Sequence, residues 1–191
     1  MLTLTEHITR TLEVKQSKFI AHLLPYSLYK EVLSALKEDH PKARHFVTAF
    51  RHLNEFDQVV EGSSDDGEPK GTSGKPTLAV LQGQNLINIA VITVRYFGGT
   101  KLGTGGLVRA YSDATNLALE DAELFDYVKL QSLSFHVNYS NLSMVEYALE
   151  QSGITRIDKT FEAAHVAMVI MASADEIQIF RNEVKRLIKV L

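Results

Sequence analysis

Residues 93–109 read Thr-Val-Arg-Tyr-Phe-Gly-Gly-Thr-Lys-Leu-Gly-Thr-Gly-Gly-Leu-Val-Arg. An apolar, strand-like segment leads into a loop with five glycines, and an amphipathic helix follows. Glycine permits positive φ and close approach to main-chain N–H groups, and a helix start adds free N–H groups and a partial positive charge. The stretch therefore predicts a phosphate or nucleic-acid site. We expect it to be formed by the cations and glycines of this segment: Arg95, Gly98, Gly99, Lys101, Gly103, Gly105, Gly106 and Arg109.

This segment, whose residues 98–106 we call the glycine loop, does not follow the standard phosphate-binding patterns. The only Gly-Lys pair, Gly74-Lys75, is followed by proline instead of Ser or Thr, and Val108 stands where a dinucleotide fingerprint has its third glycine. A tight crossover from strand to helix would explain some of the five glycines, though not all of them. A binding site and a purely structural crossover therefore both remain open.

A second segment brings three carboxylates together within four residues: Asp65, Asp66 and Glu68. We call residues 65–68 the acidic loop. Oxygen ligands of this kind suit Mg²⁺, yet Asp in a turn also accepts hydrogen bonds from its own backbone, so both interpretations stay open. His45 lies on a neighbouring predicted strand and is a candidate accessory residue. If the two loops meet, carboxylates and cations would face one cleft.

Composition limits the function. The chain has 191 residues, 45% of them apolar and 23% charged, with a formal net charge of −3. Because nucleic-acid-wrapping proteins are usually more basic, such contact must come from a local patch. The absence of cysteine excludes disulfides and thiolate chemistry. We see no signal peptide, no membrane span and no hydrolase or zincin motif, and therefore expect a cytoplasmic protein without a membrane partner and name no catalytic residue.

Hydrophobic periodicity predicts an alternation of strands and helices in the first two thirds of the chain. We expect strands at residues 12–25, 44–53 and 87–97, helices at 27–39, 77–81 and 106–121, and a long polar connection at 54–76. The run at 87–97 is apolar throughout, which is typical of a strand buried on both faces. Strand alternation favours core packing for Phe97.

After about residue 126 a second pattern begins. We predict a strand at 129–139, a helix at 141–151, strands at 154–163 and 165–172, and a helix at 175–190. This order resembles a ferredoxin-like fold that lacks its fourth strand or takes it from another segment. The last helix would carry Arg181, Lys185, Arg186 and Lys189, which we interpret as a solvated face, with a nucleic-acid stripe as the alternative.

Two runs resemble the IMPACT (imprinted and ancient) family, including its bacterial members. The first is Asp65-Asp66-Gly67-Glu68-Pro69-x-Gly71-Thr72-x-Gly74-x-Pro76. The second is Arg95-Tyr96-Phe97-Gly98-Gly99-x-x-Leu102-Gly103-x-Gly105-Gly106-Leu107-Val108-x-Ala110-Tyr111. Ala43-x-His45 fits a shorter element, and Ser73 stands where the family usually has alanine. The resemblance covers about residues 15–120.

The resemblance implies an α+β protein of two domains. Residues 1–127 would be similar to domain 2 of ribosomal protein S5, and residues 128–191 would be ferredoxin-like, similar to late domains of elongation factor G. Eukaryotic members act in translational control by binding a large regulator of an initiation-factor kinase. We therefore expect a non-catalytic protein that contacts RNA or a ribosome-associated partner through the glycine loop.

Two alternatives remain at this stage. The first is an enzyme that acts on a phosphorylated small molecule or nucleotide with magnesium, since S5-like folds occur in some small-molecule kinases. The second is a protein-interaction module whose acidic loop docks a basic partner. We expect no cofactor other than possible Mg²⁺, and the oligomeric state stays open.

Overall fold

The computed structural model describes residues 1–191, which divide into two compact units, Met1–Tyr127 and Val128–Leu191. Both units combine helices with antiparallel strands, so the predicted mixed helix-and-strand class is confirmed. None of the helices combines the length and the apolar character needed to cross a bilayer.

The first unit is built on a five-stranded antiparallel sheet. The unit contains seven strands in all: β1 (Leu2–Thr3), β2 (Ile8–Val14), β3 (Ser17–Pro25), β4 (His45–Leu53), β5 (Val59–Ser64), β6 (Ile89–Tyr96) and β7 (Phe125–Asp126). Its helices are α1 (Tyr29–Asp39), α2 (Gly74–Gly83) and α3 (Gly103–Glu120). The sheet has the order β2-β3-β6-β4-β5, and β1 pairs with β7 in a separate ladder.

Strand β6 lies at the centre of this sheet and is buried on both faces, as its apolar run predicted. Ala90, Ile92 and Val94 belong to a core that includes Leu36 of α1. Alternate residues of β6 belong to the larger core shared with α2 and α3. Because side chains alternate along a strand, Arg95 continues the face that packs toward α3, and this places a charge beneath that helix.

Several element boundaries in the first unit differ from the sequence prediction, among them those of α2, which spans residues 74–83 and not 77–81. The expected strand at 12–25 is a hairpin of β2 and β3, with positive φ at Lys15 (47°) and Gln16 (65°). Such a two-residue turn usually contains Asn or Gly. Lys and Gln occupy it here, so the sequence gives no sign of the turn. The expected polar connection contains β5, a largely exposed edge strand. Its Gly62 packs against the ring of Phe50, to which an added Cβ would come within 2.3 Å. Helix α3 begins at Gly103, earlier than expected.

The second unit has four antiparallel strands and two helices. They are β8 (Gln131–Val137), α4 (Leu142–Gln151), β9 (Arg156–Phe161), β10 (Val166–Ala172), α5 (Ala174–Val184) and β11 (Ile188–Val190), with the sheet order β11-β8-β10-β9. Alternate residues of β10, namely Val166, Met168 and Ile170, are buried in one core with Phe180 of α5.

Both alternatives for the fourth strand, its absence and its supply by another segment, are wrong, and so is the helix predicted to run to residue 190. Helix α5 ends at Val184, and Ile188–Val190 forms β11, which pairs with β8. A three-residue strand is too short for its periodicity to be distinguished from a helix. Its structure depends on hydrogen bonds to a strand about 50 residues earlier, which local sequence does not reveal.

Candidate anion-binding site

The glycine loop and the acidic loop border one cavity of about 340 Å³ in the first unit. The acidic loop contributes Glu68, and the glycine loop contributes residues 101–104. The complete lining consists of Glu68, Pro69, Arg95, Phe97, Lys101, Leu102, Gly103, Thr104 and Leu107. The two segments that the sequence singled out therefore meet, and the end of β6 forms part of the wall between them.

A buried ion pair joins the end of β6 to the acidic loop at this cavity. Nη1 of Arg95 donates to Oε1 of Glu68 at 2.5 Å, and the two side chains are only 6% and 3% exposed. The hydroxyl of Tyr111 on α3 donates to the same oxygen at 2.8 Å. Burial raises the pKa of Tyr111, and the charge on Glu68 raises it further. The phenol therefore remains a donor, and Glu68 links β6 to α3.

Arg95 has hydrogen-bonding capacity that the fold does not use. Its guanidinium lies 5.2 Å from the ring centre of Phe19 and 5.8 Å from that of Phe97. Its Nε is buried and has no hydrogen-bond partner. An unpaired buried donor costs free energy of about 1–3 kcal/mol. Arg95 lines the cavity, but this nitrogen is itself buried, so a ligand in the cavity does not reach it directly.

The start of α3 adds positive character to the same cavity. Leu102 occupies the N-cap position, no side chain caps the helix, and its first turn contains no acidic residue. The first N–H groups of a helix have no partners within the helix. Lys101 immediately precedes this end, is exposed and makes no ion pair. The cavity therefore has a helix N-terminus and a free ammonium group on one side.

Most glycines of the loop have a structural reason within the fold. A Cβ on Gly98 would lie 2.0 Å from the carbonyl carbon of Gln16, and Gly99 and Gly103 have left-handed φ values of 87° and 73°. A Cβ on Gly106 would lie 3.0 Å from that of Leu102. Gly105 is different, because its φ is not positive and a Cβ there would meet nothing within 4 Å.

Arg109 and Phe97 lie where the sequence did not place them. Arg109 lines another cavity, beside Val14 and Asp113, and is not part of the lining described above. It therefore does not join Arg95 and Lys101.

Core packing predicted for Phe97 is wrong: its side chain is 44% exposed and lies at the cavity. The strand ends at Tyr96, so alternation no longer applies at the next residue.

Asp65 of the acidic loop is held by backbone amides of the segment that follows the loop. Oδ1 of Asp65 accepts from the amides of Ser73 (3.1 Å) and Gly74 (2.8 Å) and from the Ser73 hydroxyl (3.0 Å), and Oδ2 accepts from the Gly71 amide (2.7 Å). Burial alone would raise the pKa of Asp65, but these hydrogen bonds lower it. Asp65 therefore holds residues 71–74 at the start of α2.

The other carboxylate of the loop and the accessory histidine also have internal partners. Oδ2 of Asp66 accepts from the Phe46 amide at 2.6 Å, and Nδ1 of His45 contacts the carbonyl oxygen of Asp66 at 2.8 Å. His45 thus reaches the acidic loop, as the sequence suggested. The three carboxylates have separate partners, and no three His, Asp or Glu side chains converge as a metal site would require.

Sequence reasoning missed Tyr111 as part of the site. Its position on the apolar face of α3 indicated core packing, and its ring does contact Phe19, with 5.0 Å between ring centres. A phenolic hydroxyl on a fully buried helix face needs a partner, and that requirement was the available signal. The partner, Glu68, lies 43 residues earlier and could not be identified from spacing.

Comparisons with known proteins identify the family to which the two motifs point, since the matching family domain spans both of them. The Impact N-terminal domain matches residues 15–119. An IMPACT family member from Haemophilus influenzae is 35% identical over 174 residues, which cover 90% of this chain and 84% of the relative. IMPACT family member YigZ from Escherichia coli is 35% identical over 170 residues, covering 87% and 83%. A crystal structure of a hypothetical protein is 31% identical with a TM-score of 0.68, covering 100% of this chain and 95% of that one.

Proposed function

This chain belongs to the IMPACT family, and on that basis we propose that it is a cytoplasmic binding protein in the regulation of translation. We further propose that the cavity between the acidic and glycine loops receives a backbone phosphate of RNA. The family resemblance carries the link to translation, and the chemistry of the cavity carries the choice of a phosphate. A ribosome-associated protein in place of RNA is an outcome that the experiments below distinguish.

The single observation that carries the proposal is that two unused donor groups line one cavity. They are the uncapped start of α3 and the free ammonium group of Lys101, and the paired guanidinium of Arg95 belongs to the same lining. Helix N-termini and cationic side chains are common phosphate ligands. Because Glu68 already balances the charge of Arg95, Lys101 and the helix would supply most of the attraction.

Two further features fit a nucleic-acid strand. Phe97 exposes 44% of its surface at the cavity, and an exposed ring can stack on a base next to the bound phosphate. Gly105 carries no side chain although the fold leaves room for one, which suits close approach of a ligand to the first turn of α3. A base and a phosphate held side by side indicate single-stranded RNA more than a duplex.

We also propose the finer fold assignment that the resemblance implied. The first unit would be similar to domain 2 of ribosomal protein S5. The second would be ferredoxin-like, and its element order β8-α4-β9-β10-α5-β11 fits that assignment. Both fold types occur in translation, but fold alone is a weak argument for function. The proposal therefore rests on the cavity.

The alternative of a magnesium-dependent enzyme receives less support from the geometry. Asp65 uses both carboxylate oxygens for the loop, and Glu68 accepts from Arg95 and Tyr111 through one oxygen. A hard cation would have to compete with these donors for its ligands. No nucleophile with an adjacent base lines the cavity.

The proposal is tested with a fluorescent single-stranded RNA and anisotropy measured over a series of salt concentrations. Lys101→Gln removes the free cation, and Lys37→Gln removes an exposed cation of α1 as a matched control. We expect the Lys101 variant to bind more weakly and to reduce the salt slope by about 0.7, the value for one lost contact with a single strand. Equal affinity of the two variants at low salt contradicts the proposed contact.

Co-sedimentation with ribosomes identifies the partner. If the partner is RNA, nuclease treatment releases the protein, and Lys101→Gln weakens sedimentation before treatment. Retention after complete nuclease digestion would instead indicate a ribosome-associated protein, and it would replace RNA in the proposal.

A further inference from the structure

The second unit contains a polar cavity of about 400 Å³ that is separate from the site described above. We propose that it binds a phosphate group. Four of its lining side chains are basic or imidazole groups, namely His136, His165, Arg186 and Lys189, and none is acidic. This inference does not depend on the proposed function of the first unit.

Strand pairing brings these groups together. Lys189 on β11 lies opposite His136 on β8, and directly paired residues on one face of a sheet are neighbours. The rings of His136 and His165 have centres 3.9 Å apart. Arg186 joins them from the turn between α5 and β11. The strand that sequence analysis did not identify therefore forms one side of the cavity.

The cations of this cavity are not neutralised by the protein. Arg186 and Lys189 are exposed and form no ion pair. One carboxylate lies nearby: Oε2 of Glu162 is 3.0 Å from Nε2 of His165. The geometry of that contact does not make a hydrogen bond, so this buried nitrogen has no hydrogen-bond partner. The local charge is positive although the whole chain has a formal net charge of −3.

The donor set matches a phosphate more closely than a carboxylate or an apolar ligand. A phosphate accepts hydrogen bonds through several oxygens, and guanidinium and ammonium groups provide charge-assisted donors. The side-chain amides of Asn138 and Asn141 also line the cavity and can donate N–H groups without adding charge. The basic residues grouped on one helix by the sequence prediction thus divide: Arg186 and Lys189 line the cavity, whereas Arg181 and Lys185 do not.

The test is a titration of the full chain with inorganic phosphate, followed by amide NMR at constant ionic strength with sodium chloride as the reference salt. We expect saturable shifts at residues 136–138, 164–165 and 186–189. Arg186→Gln with Lys189→Gln should weaken phosphate binding about tenfold or more, since two charged donors are lost. Arg181→Gln with Lys185→Gln removes the same charge outside the cavity and should leave the affinity nearly unchanged.

A parallel titration with a dinucleotide that carries one phosphodiester identifies the source of the phosphate. Shifts at the same amides indicate a nucleic-acid backbone, and their absence alongside phosphate binding indicates a free phosphate or monoester. No saturable shift with inorganic phosphate overturns the proposal, as does equal weakening by the two double variants. Should the Arg186 and Lys189 double variant not fold, Lys189→Gln alone provides the same comparison against Lys185→Gln.

Discussion

Nη1 of Arg95 and Oε1 of Glu68 lie 2.5 Å apart, and this buried ion pair joins the two motifs of the chain. The pair links the C-terminal end of the central strand β6 to the acidic loop. The hydrogen bond from the Tyr111 hydroxyl to Glu68 connects both to α3. A cavity wall made in this way is rigid, because neither charge can leave its partner without being buried alone. The site and the stability of the first unit are therefore coupled at Glu68.

Glu68→Gln should destabilise the first unit strongly. The change leaves the Arg95 charge buried with no counter-charge, and breaking one side of a buried pair costs about 3–5 kcal/mol. Urea unfolding followed through NMR signals of β3 and β6 measures the free energy of unfolding. The control is Glu13→Gln, which breaks the exposed pair with Lys18 and should cost less than about 1 kcal/mol. Similar losses in both variants would show that Glu68 has no special structural role.

Gly98→Ala should also destabilise the first unit, by about 3 kcal/mol or more. The added Cβ would lie 2.0–2.3 Å from main-chain atoms of Gln16 and Ser17, so the hairpin turn between β2 and β3 would have to move. The same urea experiment measures the loss. Unchanged stability in this variant would mean that the turn adapts without strain.

Gly105→Ala should have two opposite effects. It should stabilise α3 by about 0.5–1 kcal/mol, because alanine is the better helix former and a Cβ there meets no atom within 4 Å. Gly105 does not line the cavity itself, but an RNA strand that extends from the cavity over the first turn of α3 would meet the added methyl group, so RNA binding should weaken at the same time. Thermal unfolding and RNA anisotropy measure the two effects. Stabilisation with undiminished RNA affinity would remove Gly105 from the proposed contact surface.

The first unit should lose stability as the pH falls from about 6.5 to about 4. Burial, followed by the nearby charges of His7 and His40, lowers the pKa of His22 from 6.5 to about 4. In that window the unfolded chain binds a proton that the folded protein does not, so stability is present above pH 6.5 and is lost on acidification, by up to about 3 kcal/mol. Burial lowers the pKa of His7 as well, which acts in the same direction.

Free energies of unfolding measured between pH 4 and pH 7 test this dependence. His22→Asn should flatten the slope in that interval, even if the substitution itself lowers stability at every pH. The relevant quantity is therefore the slope and not the absolute value. An equally steep slope in the variant would assign the acid sensitivity to other groups.

Long, regular elements could be predicted from the sequence, and short or long-range ones could not. The helices near residues 29–39 and 142–151 and the doubly buried strand near 89–96 follow from hydrophobic period alone. Strand β11 does not, because it pairs with a strand about 50 residues earlier. The turn at Lys15-Gln16 and strand β5 do not either, because the turn lacks the usual Asn or Gly and β5 is a short, largely exposed edge strand. The glycine and acidic motifs could be identified from the sequence, but the contacts that each of their residues makes could not.

The sequence by itself determined the family, the mixed helix-and-strand class and the two segments that form the candidate site, because these are written in motif spacing and hydrophobic period. Only the tertiary structure decided which charges remain available. Burial pairs Arg95 with Glu68 and ties Asp65 to backbone amides, whereas Lys101 and the start of α3 stay unpaired. Charge availability depends on distances between residues far apart in the chain, and a linear pattern does not contain those distances.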